Sequence, residues 1–245
     1  MAGISARPLA YSAAERIGRR IVTGDFRPGS VLPNLNQLAQ EFSVSRLSVR
    51  EAIKLLSGKG LVDSRPRRGT VVRPRHEWSR LDPDVLIWQL GNIPNAGFVR
   101  SLFEARRIIE PEAAALAAER AHGEVLAEIE RALSWMANTD PTSPESITAD
   151  VALHQAILAG SGNEFLAAFA PAIATSLTAA FSIQRDARPP LSAFLPDHAA
   201  IVEAIKRGDK EGARAAFLKL LRQAESDAVN GLKVRRQPSK AEPQQ

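Results

Sequence analysis

Three groups of residues in this 245-residue chain have the types and spacing to do chemistry. Arg46, Arg50 and Lys54 follow one another at i, i+4 and i+8, so on a helix they form one cationic ridge. An apolar core would reject that ridge. It must meet water or an anion, and its guanidinium groups can reach phosphates or the N7 and O6 acceptors of guanine in a DNA major groove. In the second group, Asp150 and His154 lie one helical turn apart on the stripe Ile147, Asp150, His154, Ile157, while His198 shares an apolar stripe with Ile201, Val202 and Ile205. One carboxylate and two imidazoles suit a weakly held zinc, nickel or manganese ion with open positions; a local Asp–His hydrogen bond and a plain core histidine are the other readings of the same residues. The third group is Arg106, which interrupts the inward stripe Leu102, Ile109, Ala113, Leu116. A buried guanidinium requires an anionic partner. That partner is either the carboxylate of an effector, held by two parallel hydrogen bonds, or one of Glu104, Glu110 and Asp150.

The elements that must position these groups follow from pattern. Ser45 is placed to cap a helix whose Val49, Ala52, Ile53 and Leu56 recur at the spacing of a buried stripe. Helices are expected at 13–22 and at 35–42, and the short turn between the latter and Ser45 makes a helix-turn-helix. Two β-prone runs, 61–64 and 70–73, flank a tip holding Arg65, Arg67, Arg68 and Gly69, which reads as a basic hairpin wing. Beyond it no strand pattern recurs. Helices are expected at 82–90, 98–121, 124–139, 144–159, 163–186, 195–207 and 209–230. The fold class is therefore mainly α: a winged helix-turn-helix domain (8–75), a linker (76–81), an all-α domain (82–231) and a disordered tail (232–245).

Charge divides the chain the same way. Residues 1–76 hold 14 Lys or Arg against 5 Asp or Glu, and the remainder 18 against 22. A basic module joined to a mildly acidic one points to a polyanion partner for the first and a different task for the second. Cysteine is absent, which excludes disulfides and thiolate metal sites and fits a reducing cytoplasm. No apolar run has the roughly 18 residues needed to span a bilayer, so no membrane partner is expected.

The first module resembles the winged helix-turn-helix of the GntR family of bacterial transcription regulators. The resemblance rests on I-x-x-G-D-F-x-P-G-x-x-L-P at Ile21 to Pro33, L-A-x-x-F-x-V-S-R-x-x-V-R-E-A at Leu38 to Ala52, and R-G-T-V-V at Arg68 to Val72. It implies DNA contacts from Asn36, Ser45, Arg46, Ser48, Arg50, Arg68 and Gly69. E-A-R-R-I-I-E-P-E-A-A at Glu104 to Ala114, D-x-x-x-H-x-x-I-L-x-x-S-G-N at Asp150 to Asn163 and D-H-x-x-I-V-x-A-I-x-x-G-D at Asp197 to Asp209 resemble the FCD effector domain of the FadR subfamily. That resemblance implies an antiparallel helical bundle that binds small carboxylates at a metal held by one Asp and three His. Asp150, His154 and His198 match three ligands, and the fourth position falls on Leu220. The run from Trp78 to Trp88 is similar to members that answer to sugar acids. The expectation is a homodimeric repressor on a palindromic operator, released by a sugar acid or hydroxy acid bound near Arg106. An architectural DNA-binding protein without effector, or a metal-dependent hydrolase, would use some of the same residues.

Overall fold

The computed structural model describes residues 6–65, 68–90, 96–184 and 194–236. The chain divides into two compact units, residues 1–92 and 93–245. In the first, α1 (Ala6–Thr23) buries Ala10, Ala13, Ala14, Ile17 and Ile21 along one stripe and begins seven residues before the expected start. Helix α2 (Leu35–Phe42) opens on a capping box: Asn34 Oδ1 accepts from the amides of Asn36 and Gln37, and Gln37 Oε1 accepts from the Asn34 amide. It ends at Ser43, whose left-handed φ of 55° turns the chain toward Ser45. The Ser45 hydroxyl accepts from the Ser48 amide at 3.0 Å and starts α3 (Arg46–Gly58), with Val49, Ala52, Ile53 and Leu56 buried as their spacing requires. Strands β1 (Val62–Arg65) and β2 (Gly69–Val72) pair antiparallel with Val62 opposite Val72, and Val31 bridges to Val71, so a third segment braces the wing.

Residues 76–81 are not the free linker expected from their sequence. Trp78 is buried in the core of the first unit, and its indole N–H donates to the Arg73 carbonyl at 2.9 Å. Helix α4 (Pro83–Leu90), expected to open the second domain, packs on α1 instead, with Val85 and Trp88 in the core of the first unit. Gly18 makes this docking possible, because a Cβ there would sit 2.2 Å from the Trp88 ring. Lys59 ties α4 further, reaching Asp82 at 2.8 Å and Asp84 at 2.7 Å, while the Tyr11 hydroxyl donates to Asp84. The head therefore extends past the expected boundary at 81/82.

The second unit is all-α over its described residues. Helix α5 (Ala96–Arg120) lies against α11 (Lys210–Arg236), and α6 (Glu124–Asn138), α7 (Glu145–Gly160), α9 (Ala170–Gln184) and α10 (Leu195–Lys206) pack around them. Alanines at 114, 117, 118 and 121 let neighbours approach α5, where Ile129, Leu153, Ile201 and Phe217 fill one apolar cluster. The single helix expected at 163–186 is divided. Asn163 caps a short α8 (Glu164–Ala167), and Pro171 cannot continue it, because proline lacks an amide proton and its ring clashes with the carbonyl four residues back. Helix α11 runs to Arg236, past the start of the expected tail, and residues 237–245 lie outside the described ones.

Candidate functional site

Two sets of polar residues stand apart, one in each unit. On α3 the face opposite the buried stripe carries Arg46, Arg50 and Lys54, all exposed, as the ridge spacing requires. Among the described residues neither Arg46 nor Arg50 has an anionic partner, whereas Lys54 is paired with Glu51 at 2.9 Å and Arg65 with Asp63 at 2.7 Å. Such charges are free to meet a polyanion. A groove of about 620 Å³ separates α3 from the wing, with Arg50, Lys54, Ser64 and Gly69 on its walls. Asn36, Ser45, Arg68 and Gly69 are exposed on the same unit. Gly69 has φ +78°, and a Cβ on it would press Val31 at 3.0 Å, so the turn itself demands glycine. Ser48 departs from expectation: it is 2% exposed, and its hydroxyl lies 2.9 Å from the Ser45 hydroxyl, which makes it part of the helix cap rather than of the surface. Arg67 lies outside the described residues. Leu47, absent from the expected set, is exposed beside the cationic ridge.

In the bundle, Asp150, His154 and His198 converge, each offering a ligand atom within 4.8 Å of the others, and all three are buried. The protons on the two rings follow from their partners. His198 Nδ1 meets the Phe194 carbonyl at 2.8 Å; a carbonyl can only accept, so that nitrogen carries the proton. His154 Nδ1 meets the Glu110 carboxylate. Burial alone would push Glu110 up, but the Arg106 guanidinium and then His154 outweigh it and hold the carboxyl at about 2, so Glu110 is ionised and His154 Nδ1 donates. Both Nε2 atoms then face Asp150 Oδ1, at 3.1 Å from His198 and 3.7 Å from His154. His198 Nε2 makes no hydrogen bond of acceptable geometry. With each Nδ1 already engaged, Nε2 of each ring is left to meet Asp150 through a proton or a cation, and one carboxylate with two imidazoles converging within 4.8 Å fits a divalent ion. Each ring is also steadied through its other nitrogen, as metal-binding imidazoles are. Phe217 packs edge-on against His154 with ring centroids 5.2 Å apart. Leu220 is buried in the neighbouring apolar cluster with Phe217 and Leu221 and supplies no ligand atom.

Arg106 is 3% exposed, and its Nε donates to Glu110 Oε1 at 2.5 Å, with Phe103 beneath the guanidinium. Of the partners open to it from sequence, Glu110 is the one it meets. The second bond of Glu110, to His154, was invisible in the sequence: the two residues stand 44 positions apart on α5 and α7. The spacing of four between Arg106 and Glu110 was the only signal for that carboxylate.

Residues 9–72 match the family model described as bacterial regulatory proteins of the gntR family, and residues 101–223 match the FCD domain. The chain belongs to the GntR family. It is a DNA-binding transcription regulator with an FCD domain, and the family is not one of enzymes. The galactonate operon transcriptional repressor of Escherichia coli is 35% identical over 208 residues, covering 84% of this chain and 90% of the relative. The regulator Mce2R of Mycobacterium tuberculosis is 35% identical over 238 residues, covering 92% and 94%. A putative L-lactate dehydrogenase operon regulatory protein of Escherichia coli is 31% identical over 218 residues, covering 86% and 83%. Among solved structures, Lar, which controls expression of the Listeria monocytogenes agr system, superposes with a TM-score of 0.63 at 18% identity, covering 90% of this chain and 96% of that one. That likeness supports the fold alone. No described helix is long and apolar enough to cross a membrane.

Proposed function

We propose that the chain is a cytoplasmic repressor that leaves its operator when a small α-hydroxy carboxylate, a sugar acid or a hydroxy acid, binds beside Asp150, His154 and His198. The observation that carries this reading is the convergence of Asp150, His154 and His198, buried and with their ligand atoms within 4.8 Å of one another, inside an FCD domain. Zinc, nickel or manganese bound there would supply a Lewis acid able to take the carboxylate and the adjacent hydroxyl of the effector. Relatives named for galactonate and lactate operons favour that ligand class. Arg106 reads an effector carboxylate only by its guanidinium edge away from Glu110, because the Nε edge is already taken. In the head, Arg46 and Arg50 read the major groove, with Asn36, Ser45, Arg68 and Gly69 set against the backbone or the wing-side groove. Two copies bind a palindromic operator as a homodimer, since a twofold protein matches a twofold site. The effector acts by binding the DNA-released arrangement more tightly than the DNA-bound one.

The test is anisotropy of a labelled operator, selected from random duplexes by the purified protein, titrated with galactonate, lactate and related acids in the presence of zinc. Release by one or more of these acids, lost in Asp150→Ala, is expected. Operator binding that no acid alters would leave a DNA-binding protein without this effector class and overturn the reading.

A further inference from the structure

We propose that Glu110 is a positioning residue that couples Arg106 to the metal-binding face: one carboxylate oxygen holds Arg106 while the other fixes His154 so that its Nε2 faces Asp150 and His198. The inference rests on the reading of those three residues as a cation site, and adds a fourth residue that touches neither the cation nor the effector. Three observations carry it. Glu110 is 1% exposed, so its charge has no water to lean on and must be satisfied by the protein groups beside it. Its two oxygens carry different loads: Oε1 accepts from Arg106 Nε at 2.5 Å, while Oε2 meets His154 Nδ1 and takes only a long bond, 3.5 Å, from Arg106 Nη2. The imidazole it holds is the one whose Nε2 stands 3.7 Å from Asp150, and the Glu110 carboxylate is what its Nδ1 meets.

The chemistry sets the direction of the effect. A carboxylate on Nδ1–H keeps the proton on that nitrogen, leaves Nε2 as the donor, and raises its basicity; a neutral acceptor does this less well. Proline follows at 111 inside α5, and Glu110 and Arg106 share one face of that helix, so both oxygens are aimed from a single rigid element. Whatever moves the Arg106 guanidinium therefore pulls on the same carboxylate that orients the ligand, and the two ends of the site are linked through one side chain. His198 is steadied independently, by the Phe194 carbonyl, and should be insensitive to Glu110.

The experiment uses the full-length protein and zinc alone, titrated against a competing chelator, in the parent, Glu110→Gln and the double variant Arg106→Gln/Glu110→Gln. The double variant removes both buried charges, so it remains informative if Glu110→Gln fails to fold with Arg106 unpaired. Zinc should bind about 10- to 100-fold more weakly in whichever variant folds, as loss of an outer partner of a histidine ligand does. In the metal-free proteins, 15N shifts of the histidine rings should report protonated Nδ1 on His154 and His198 in the parent, and a redistribution confined to His154 in the variant. Parent-like zinc affinity in a folded variant, or a His154 tautomer that does not change, overturns the positioning role. A parent that binds no zinc overturns the cation site beneath it, and that outcome is distinct because the ring tautomers are read without metal.

Discussion

Arginine appears in both halves of the molecule in opposite circumstances. On α3, Arg46 and Arg50 are exposed and, among the described residues, unpaired; in the bundle, Arg106 is buried, with its Nε edge given to Glu110. Solvent makes the difference. An exposed guanidinium costs almost nothing to keep free, so it can be held ready for an external polyanion, and its removal is felt only when that partner arrives. A buried guanidinium cannot be kept free, so it arrives with a built-in anion, and its removal is felt by the fold itself. One half stores recognition as unpaired charge, the other as charge already paired.

The largest expected effect breaks the buried side of this contrast. Glu110→Ala leaves Arg106 uncompensated, and thermal unfolding should show a loss of about 3 to 5 kcal/mol. A loss below about 1 kcal/mol would mean that water reaches the guanidinium and that the two arginine environments are alike. Next comes the exposed side: Arg50→Ala should weaken operator binding by about 1 to 3 kcal/mol, measured by anisotropy at fixed salt, while the melting temperature stays that of the parent. Parent-like affinity would remove this face of α3 from the DNA interface.

The smallest effect concerns a half-exposed case between these limits. Tyr11 is the sole tyrosine, and its hydroxyl donates to Asp84, with the carboxylate and partial burial holding the phenol at about 12. Its folded pKa lies above the ordinary value, so the bond contributes fully below about pH 10 and is lost as pH rises through 12. Ultraviolet titration of the phenolate should give a midpoint near 12 in the parent and one closer to 10 in Asp84→Asn. An unchanged midpoint would detach Tyr11 from α4.

Much of this was legible in the sequence where the signal is local. The Ser45 cap, the buried stripe of α3 and the i, i+4 placement of Asp150 and His154 all depend on residues within one or two turns of each other. What was hidden depends on distant pairs. Nothing in the run from Pro83 to Leu90 says which unit its Trp88 will enter; the answer lies in Gly18, seventy residues earlier on α1, whose missing side chain makes the slot. Glu110 was visible as a neighbour of Arg106 but not of His154, because helix phase fixes the first relation and helix packing the second. Ser48 shows the limit from the other side: a hydroxyl at the start of a recognition helix reads equally well as a DNA contact and as a cap partner, and only its burial separates them.

The tryptophans have a practical consequence. Trp78 and Trp88 are sealed in the core of the head, while Trp135, on α6 of the bundle, is 45% exposed. The native emission spectrum is thus a sum of two optically separable signals, a blue pair shielded from acrylamide and a red single that acrylamide can reach. Denaturant should move them independently if the two units melt at different concentrations. The unlabelled protein therefore carries its own probe of whether its halves unfold together, and a quencher is enough to tell which half is speaking.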